Sequence, residues 1–249
     1  FFIRTIFFLI CNIDFLIKGS EKKMTLDEIK KWLEENKEER GIKSWEKAGL
    51  KEMSTYGIGL TKLKTFAKKI KKDPKLAGEL WEEPVYDCRI LSVLVDDPKL
   101  LTRERVEEQI KHTQFWMMSY AYVSNLLKEA PFKRDLVLEW INEKDDLKRR
   151  MGFAMLSGVI SAEKPVNVEF ASAIIDRIEK EINSEENFVK DAMNNCLLGL
   201  GQINKELNEK AVAVAKRIGK VVVDYGDNSC EAPDCVKHLT SPRLQAKLG

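Results

Sequence analysis

Between Lys111 and Leu127 the chain reads KHTQFWMMSYAYVSNLL, a stretch without a single acidic residue that sets Trp116 and Tyr120 four positions apart. On a helix that spacing puts both rings on one face, one turn apart. An indole and a phenol so placed suit stacking against a base or a sugar, whereas neither supplies the negative charge of a carboxylate at neutral pH. Trp116, Met117 and Tyr120 also fit ordinary core packing, the commoner fate of aromatic and Met stripes at helical spacing. The polar Ser119, Ser124 and Asn125 around the same helix favour a cleft. His112, nearby, reads as a surface or satisfied histidine before it reads as a general base.

Two clusters of cations accompany this face. Lys62, Lys64, Lys68, Lys69, Lys71 and Lys72 follow one another with no acid between Thr61 and Lys72. In a helix Lys64, Lys68, Lys71 and Lys72 share a side while Leu63, Phe66, Ala67 and Ile70 face the core, so the lysines either meet phosphates or form a solvated face. Lys148, Arg149 and Arg150 lie near a helix start, where cations oppose the macrodipole, a placement that hints at a partner. Arg150 either grips a phosphate bidentately or pairs with Asp145 or Asp146.

The chain has 249 residues, a third of them charged, but 42 basic against 40 acidic side chains leave a net charge of only +2. Any electrostatic partner is therefore recognised by local patches. The five cysteines are an odd number and widely scattered, which argues for reduced thiols and a cytoplasmic protein. Cys230, Cys235 and His238 lack a fourth ligand and fit no zinc pattern, so neither a metal nor a cofactor is expected. Residues 1–23 are apolar but interrupted by Arg4, Asn12 and Asp14, too broken for a membrane span. A signal peptide is the alternative, since Arg4 precedes an apolar run, but no small-residue cleavage site follows. Thr25 and Glu28 form a capping box directly after Met24, so residues 1–23 read as an extension upstream of the natural start.

From Thr25 the apolar residues recur at three and four, with proline or turn residues every fifteen to twenty positions, which predicts an all-α chain. Helices are expected over Leu26–Glu39, Leu60–Lys72, Pro74–Glu82, Val85–Val95, Arg103–Thr113, Phe115–Lys128, Lys133–Asn142, Asp145–Ser161, Val168–Ile182, Asn187–Ile203 and Leu207–Ile218. Strand-like alternation occurs only in KVVVDYG, Lys220–Gly226. Helix pairs recurring about every 35–45 residues suit a solenoid of HEAT type better than a bundle, because only Met151–Ile160 approaches the all-round apolar character of a bundle core. The expected division is a repeat domain over 24–219 and, over 220–249, a turn with a short helix from Pro233 packed on the last repeat.

Four segments, YGIGLTKLKTFAKKIKKD (Tyr56–Asp73), ELWEEPVYDCRILSVLVDDPKLLT (Glu79–Thr102), LKRRMGFAML (Leu147–Leu156) and NFVKDAMNNCLLGLG (Asn187–Gly201), together resemble the DNA alkylation repair proteins related to AlkD. The resemblance spans Met24 to about Gly219. It implies a HEAT-like solenoid gripping duplex DNA in its concave cleft, and hydrolysis of the N-glycosidic bond of N3- or N7-alkylated purines without a metal or a flipped base. By the same resemblance Trp116 matches the first cleft Trp and Arg150 the cleft arginine. The family's Asp falls at Tyr120 and its second Trp at Asn195, so the acid and one aromatic are replaced. Glu108, Asp191 and Asp87 are the substitute acids within reach in sequence. The resemblance thus implies a monomeric double-stranded-DNA-binding repair protein, DNA-bound through Lys62, Lys64, Lys68, Lys71, Lys72, Arg149 and Arg150, with glycosylase activity open. The alternatives are a non-catalytic binder of distorted or branched DNA and, from a different class, a protein-binding helical scaffold.

Overall fold

The structure, a computed structural model, describes residues 23–51 and 53–249; the expected upstream extension falls, but for its last residue, outside the described residues. They form α1 (Leu26–Glu35), α2 (Glu39–Lys47), α3 (Leu60–Ile70), α4 (Pro74–Glu82), α5 (Tyr86–Val95), α6 (Arg103–Ile110), α7 (Trp116–Asn125), α8 (Lys133–Trp140), α9 (Asp146–Ala162), α10 (Val168–Glu181), α11 (Asn187–Leu200), α12 (Lys205–Ile218), α13 (Cys235–Leu239) and α14 (Pro242–Leu248), joined in places by single 3-10 turns. Among the described residues there is no strand, only an isolated bridge between Ser54 and Val85. No described helix is long and apolar enough to cross a membrane.

The helix starts are written in the sequence. Thr25 and Glu28 close the capping box of α1, and Asp73, Thr102, Asp145, Asn167 and Asn204 each accept the backbone N–H three residues on. Such side-chain caps satisfy donors that the helix itself cannot. Packing follows chain order: α4 lies on α5, α8 on α9, α9 on α11 and α10 on α12. One apolar core runs continuously from Ile29 to Leu239, as expected of stacked helical repeats.

Two local differences from the sequence expectation have clear causes. The first predicted helix ends at Glu35, and a separate α2 follows, with the loop Thr55–Ile58 crossing its first turn. There Glu38 donates its N–H to the Tyr56 carbonyl over 2.8 Å. Gly41 permits the crossing, since a Cβ on it would stand 1.8 Å from the Gly57 oxygen. Gly57 itself has a left-handed φ of 73°, a conformation that glycine adopts without steric cost. The second difference is α5, which is buried nearly all round despite carrying Asp87, Arg89 and Ser92. Each polar group is answered. Ser92 donates to the Ala77 carbonyl over 2.7 Å, and Arg89 donates to the Trp81 carbonyl while lying 5.6 Å from the Trp81 ring.

Asp87 is the anchor of this corner. Its carboxylate accepts from the Thr55 hydroxyl and the Tyr56 N–H at 2.7 Å each, and from the Ile58 N–H at 3.1 Å. Burial pushes its carboxyl above the usual range against these bonds. It is thus an acid fixed in a structural role at this corner, with both oxygens engaged. Past α12 the expected strand-like segment runs extended but pairs with no strand, and two short helices follow where one was expected.

Replacing Asp87 with Ala leaves three donors unanswered in the interior, each costing about 1–3 kcal/mol. A loss of at least about 3 kcal/mol is expected in urea unfolding, with the loop Thr55–Ile58 becoming accessible to protease.

Candidate nucleic-acid interface

Helices α7, α9 and α11 open side by side onto one cavity of about 420 Å³. The first supplies Trp116 and Tyr120, the second Arg150, and the third Phe188, Asp191 and Asn195, while Tyr225, Cys230 and Glu231 from the extended segment after α12 form the remaining wall. The residues singled out in separate stretches of sequence therefore meet in space. Tyr120 stands at the rim, 60% exposed.

Trp116 is fixed at both ends. Its indole N–H donates to the Ala48 carbonyl over 3.1 Å, and its ring stacks on Phe188 at 6.0 Å with 16° between planes. Tyr225 tilts against both, at 5.2 Å from Trp116 and 6.2 Å from Phe188. Phe188 and Tyr225 were not singled out in the sequence. Phe188 shares a helical face with Asp191 and Asn195, at spacings of three and seven, so it was recoverable once α11 was placed in the cleft. Tyr225 had no local signal, since a contact between the tail and Trp116 is not encoded in periodicity.

Arg150 carries the cavity's permanent charge. One terminal nitrogen donates to the Thr113 and Gln114 carbonyls, at 3.0 and 2.8 Å, and the guanidinium lies 5.6 Å from the Phe188 ring. The side chain is buried, and its Nε has no hydrogen-bond partner. Neither Asp145 nor Asp146 pairs with it; Asp145 instead caps α9. Desolvation brings its pKa down to about 10, so the group remains a cation at neutral pH.

Of the three substitute acids only Asp191 faces the cavity. Glu108 pairs with Lys111 at 2.6 Å and lines a different depression beside Arg105 and His112. The Asp191 Oδ1 accepts from the Tyr225 hydroxyl at 2.7 Å and from the Asn195 amide at 2.9 Å. Burial nevertheless raises its carboxyl above the ordinary range. The other carboxylate on the wall, Glu231, pairs with Lys220 at 3.2 Å.

The remaining cations divide by surroundings. Arg149 points away from the cavity: its guanidinium donates to Glu181, Glu185 and the Ile141 carbonyl and packs over Phe153, so a structural network already occupies its donors. Lys148 pairs with Glu107. On α3, Lys62 pairs with Glu38, and Lys72, just past the helix, donates to the Leu94 and Asp96 carbonyls. Lys71 closes the helix with a left-handed φ of 67°. Lys64 and Lys68 are exposed on the side opposite Leu63 and Phe66. None of these lysines lines the aromatic cavity. Cys235 is buried with its thiol on Asn194 and pushed up to about 12. No cluster of three metal-binding side chains occurs among the described residues.

An uncharacterised protein of Listeria innocua is 27% identical over 194 residues, covering 77% of this chain and 84% of that protein. Another, from Listeria monocytogenes, is 26% identical, covering 78% and 86%. A solved structure superposes with a TM-score of 0.78 at 25% identity, covering 91% of this chain and 97% of its own. It belongs to a family of proteins related to the HEAT-like repeat DNA glycosylases, with affinity for branched DNA structures. Residues 29–226 match the model of the DNA alkylation repair enzyme family, and the chain therefore belongs to that family.

Proposed function

We propose that the chain binds branched or distorted DNA at the face formed by α7, α9 and α11, gripping the phosphate backbone and stacking on exposed bases without excising them. The observation that carries this reading is the state of the cavity's carboxylates. Asp191 is tied through Oδ1 to the Tyr225 hydroxyl and the Asn195 amide. Glu231 is paired with Lys220. Stabilising a developing oxocarbenium ion requires an unmasked negative charge beside the sugar. Tyr120, at the position of the family's acid, offers a phenol in its place. The charge that is unmasked is Arg150, a cation without a carboxylate partner among the described residues, suited to a phosphate oxygen. The solved relative with affinity for branched DNA supports the same reading.

Asp191 favours a second reading, in which it supports glycosidic hydrolysis, because it shares the cavity with Trp116 and Tyr120. Single-turnover release of 7-methylguanine from a methylated duplex, with protein in excess, separates the two. Release no faster than spontaneous depurination is expected. Release well above that control and abolished by Asp191→Asn overturns the proposal.

Binding to a four-way junction is expected to be tighter than to the matched linear duplex and to weaken steeply between about 50 and 200 mM salt, as phosphate-dominated binding does. A salt-insensitive affinity rejects phosphate recognition. Arg150→Gln should weaken junction binding and lower the log–log salt slope by about one, with thermal stability preserved because a desolvated cation is removed. Arg149→Met should do the reverse. It strands Glu185, while Glu181 keeps Arg177, and costs about 1–3 kcal/mol of stability in urea unfolding, with junction affinity unchanged.

A further inference from the structure

We infer that the cavity beneath Tyr120 is a receptor for one unpaired nucleobase of a branched DNA, and that it selects guanine. This rests on the proposed DNA binding at the same face. At about 420 Å³ the cavity lies within the range of pockets that enclose small ligands. Trp116 and Phe188 give it a flat apolar side whose orientation is fixed by the Ala48 carbonyl and by their mutual stacking. Every base has a π-face that such a surface accepts.

The polar groups inside it are not symmetric in kind. Asp191 uses Oδ1 for Tyr225 and Asn195, and Asn195 uses its amide nitrogen for the Asp191 carboxylate and carbonyl. That leaves Asp191 Oδ2 and Asn195 Oδ1 as two neighbouring acceptors without a partner among the described residues, on the same wall. An acceptor pair is matched by two adjacent donors. Guanine presents N1–H and its exocyclic amine side by side, adenine and cytosine present one amine each, and thymine presents a single N–H between two carbonyls. Arg150, which lines the same cavity and is paired with no carboxylate, supplies a cation for the phosphate of the same nucleotide. Arg150 and Asp191 line one cavity yet are not bonded to each other, so a nucleotide with a phosphate at one end and donors at the other bridges them. Duplex ends and fully paired arms or junctions present no such base, whereas a branch that carries an unpaired nucleotide does.

The test uses the whole protein and three-way junctions identical except for one unpaired residue at the branch: guanine, adenine, thymine or an abasic sugar. Affinity is measured by fluorescence anisotropy, and a parallel junction carries 2-aminopurine at that position. The expected order is guanine tightest, thymine weaker, and the abasic junction weaker than guanine by about tenfold, the scale of losing one stacked base. The 2-aminopurine emission should change on binding and report stacking in the unmodified protein. Asp191→Asn, which substitutes an amide of the same shape, should abolish the preference for guanine over thymine. Equal affinity for all four junctions, with unaltered 2-aminopurine emission, overturns the receptor while leaving junction binding intact. Failure to bind any junction more tightly than linear duplex instead overturns the function on which the receptor rests.

Discussion

The site depends on one guanidinium. Arg150 belongs to α9, holds the two carbonyls of the turn between α6 and α7, and lies over Phe188 of α11. The turn between α6 and α7, helix α9 and helix α11 are registered against one another by this side chain. Burying a cation without a counter-charge is costly, and the lowered pKa records that cost. A packed apolar residue would join the helices more stably, so the arrangement is one in which stability gives way to an electropositive point inside an aromatic cavity. Trp116 takes its position from the same junction, its helix beginning just past the carbonyls that Arg150 holds.

How much of this was legible in the sequence varied with the range of the interaction. Helices from α3 to α12 announced themselves through threefold and fourfold spacing and through local caps such as Asp73, Asp145 and Asn204, whose bonds span only three residues. Separate α2 was missed because its break from α1 is set by the crossing of Gly41 and Gly57, a contact between distant stretches. Burial of α5 was missed because Asp87, Arg89 and Ser92 look like a polar face until their partners on other elements are known. Within the site, Trp116, Tyr120, Arg150 and Asn195 were found through family resemblance. Arg149 shows the limit of reading charge runs: adjacent in sequence to Arg150, it points the other way, since neighbours on a helix are about 100° apart.

The acid pair of Asp87 and Asp191 makes a related point about chemistry. Asp87 is buried and Asp191 half-buried, both have raised pKa, both accept hydroxyl and nitrogen donors, and both were equally plausible from sequence. What separates them is where the unused oxygen looks. Asp87 engages both oxygens in holding a loop, whereas Asp191 keeps one toward the cavity.

The extended segment after α12 alters the mechanics of the whole chain. Asp224 exchanges two hydrogen bonds with Asn187, Tyr225 reaches Asp191, and Asp227 both pairs with Lys47 and donates to its carbonyl. Gly226 passes so close that a Cβ would sit 2.6 Å from the Lys47 oxygen. A stack of helical repeats is ordinarily a one-dimensional spring whose ends fray independently. Here the segment after α12 is fastened to the end of α2 on one side and to α11 on the other, so elements more than a hundred residues apart in the chain share one tie. Any motion that parts α2 from α11 must stretch or release that fastening.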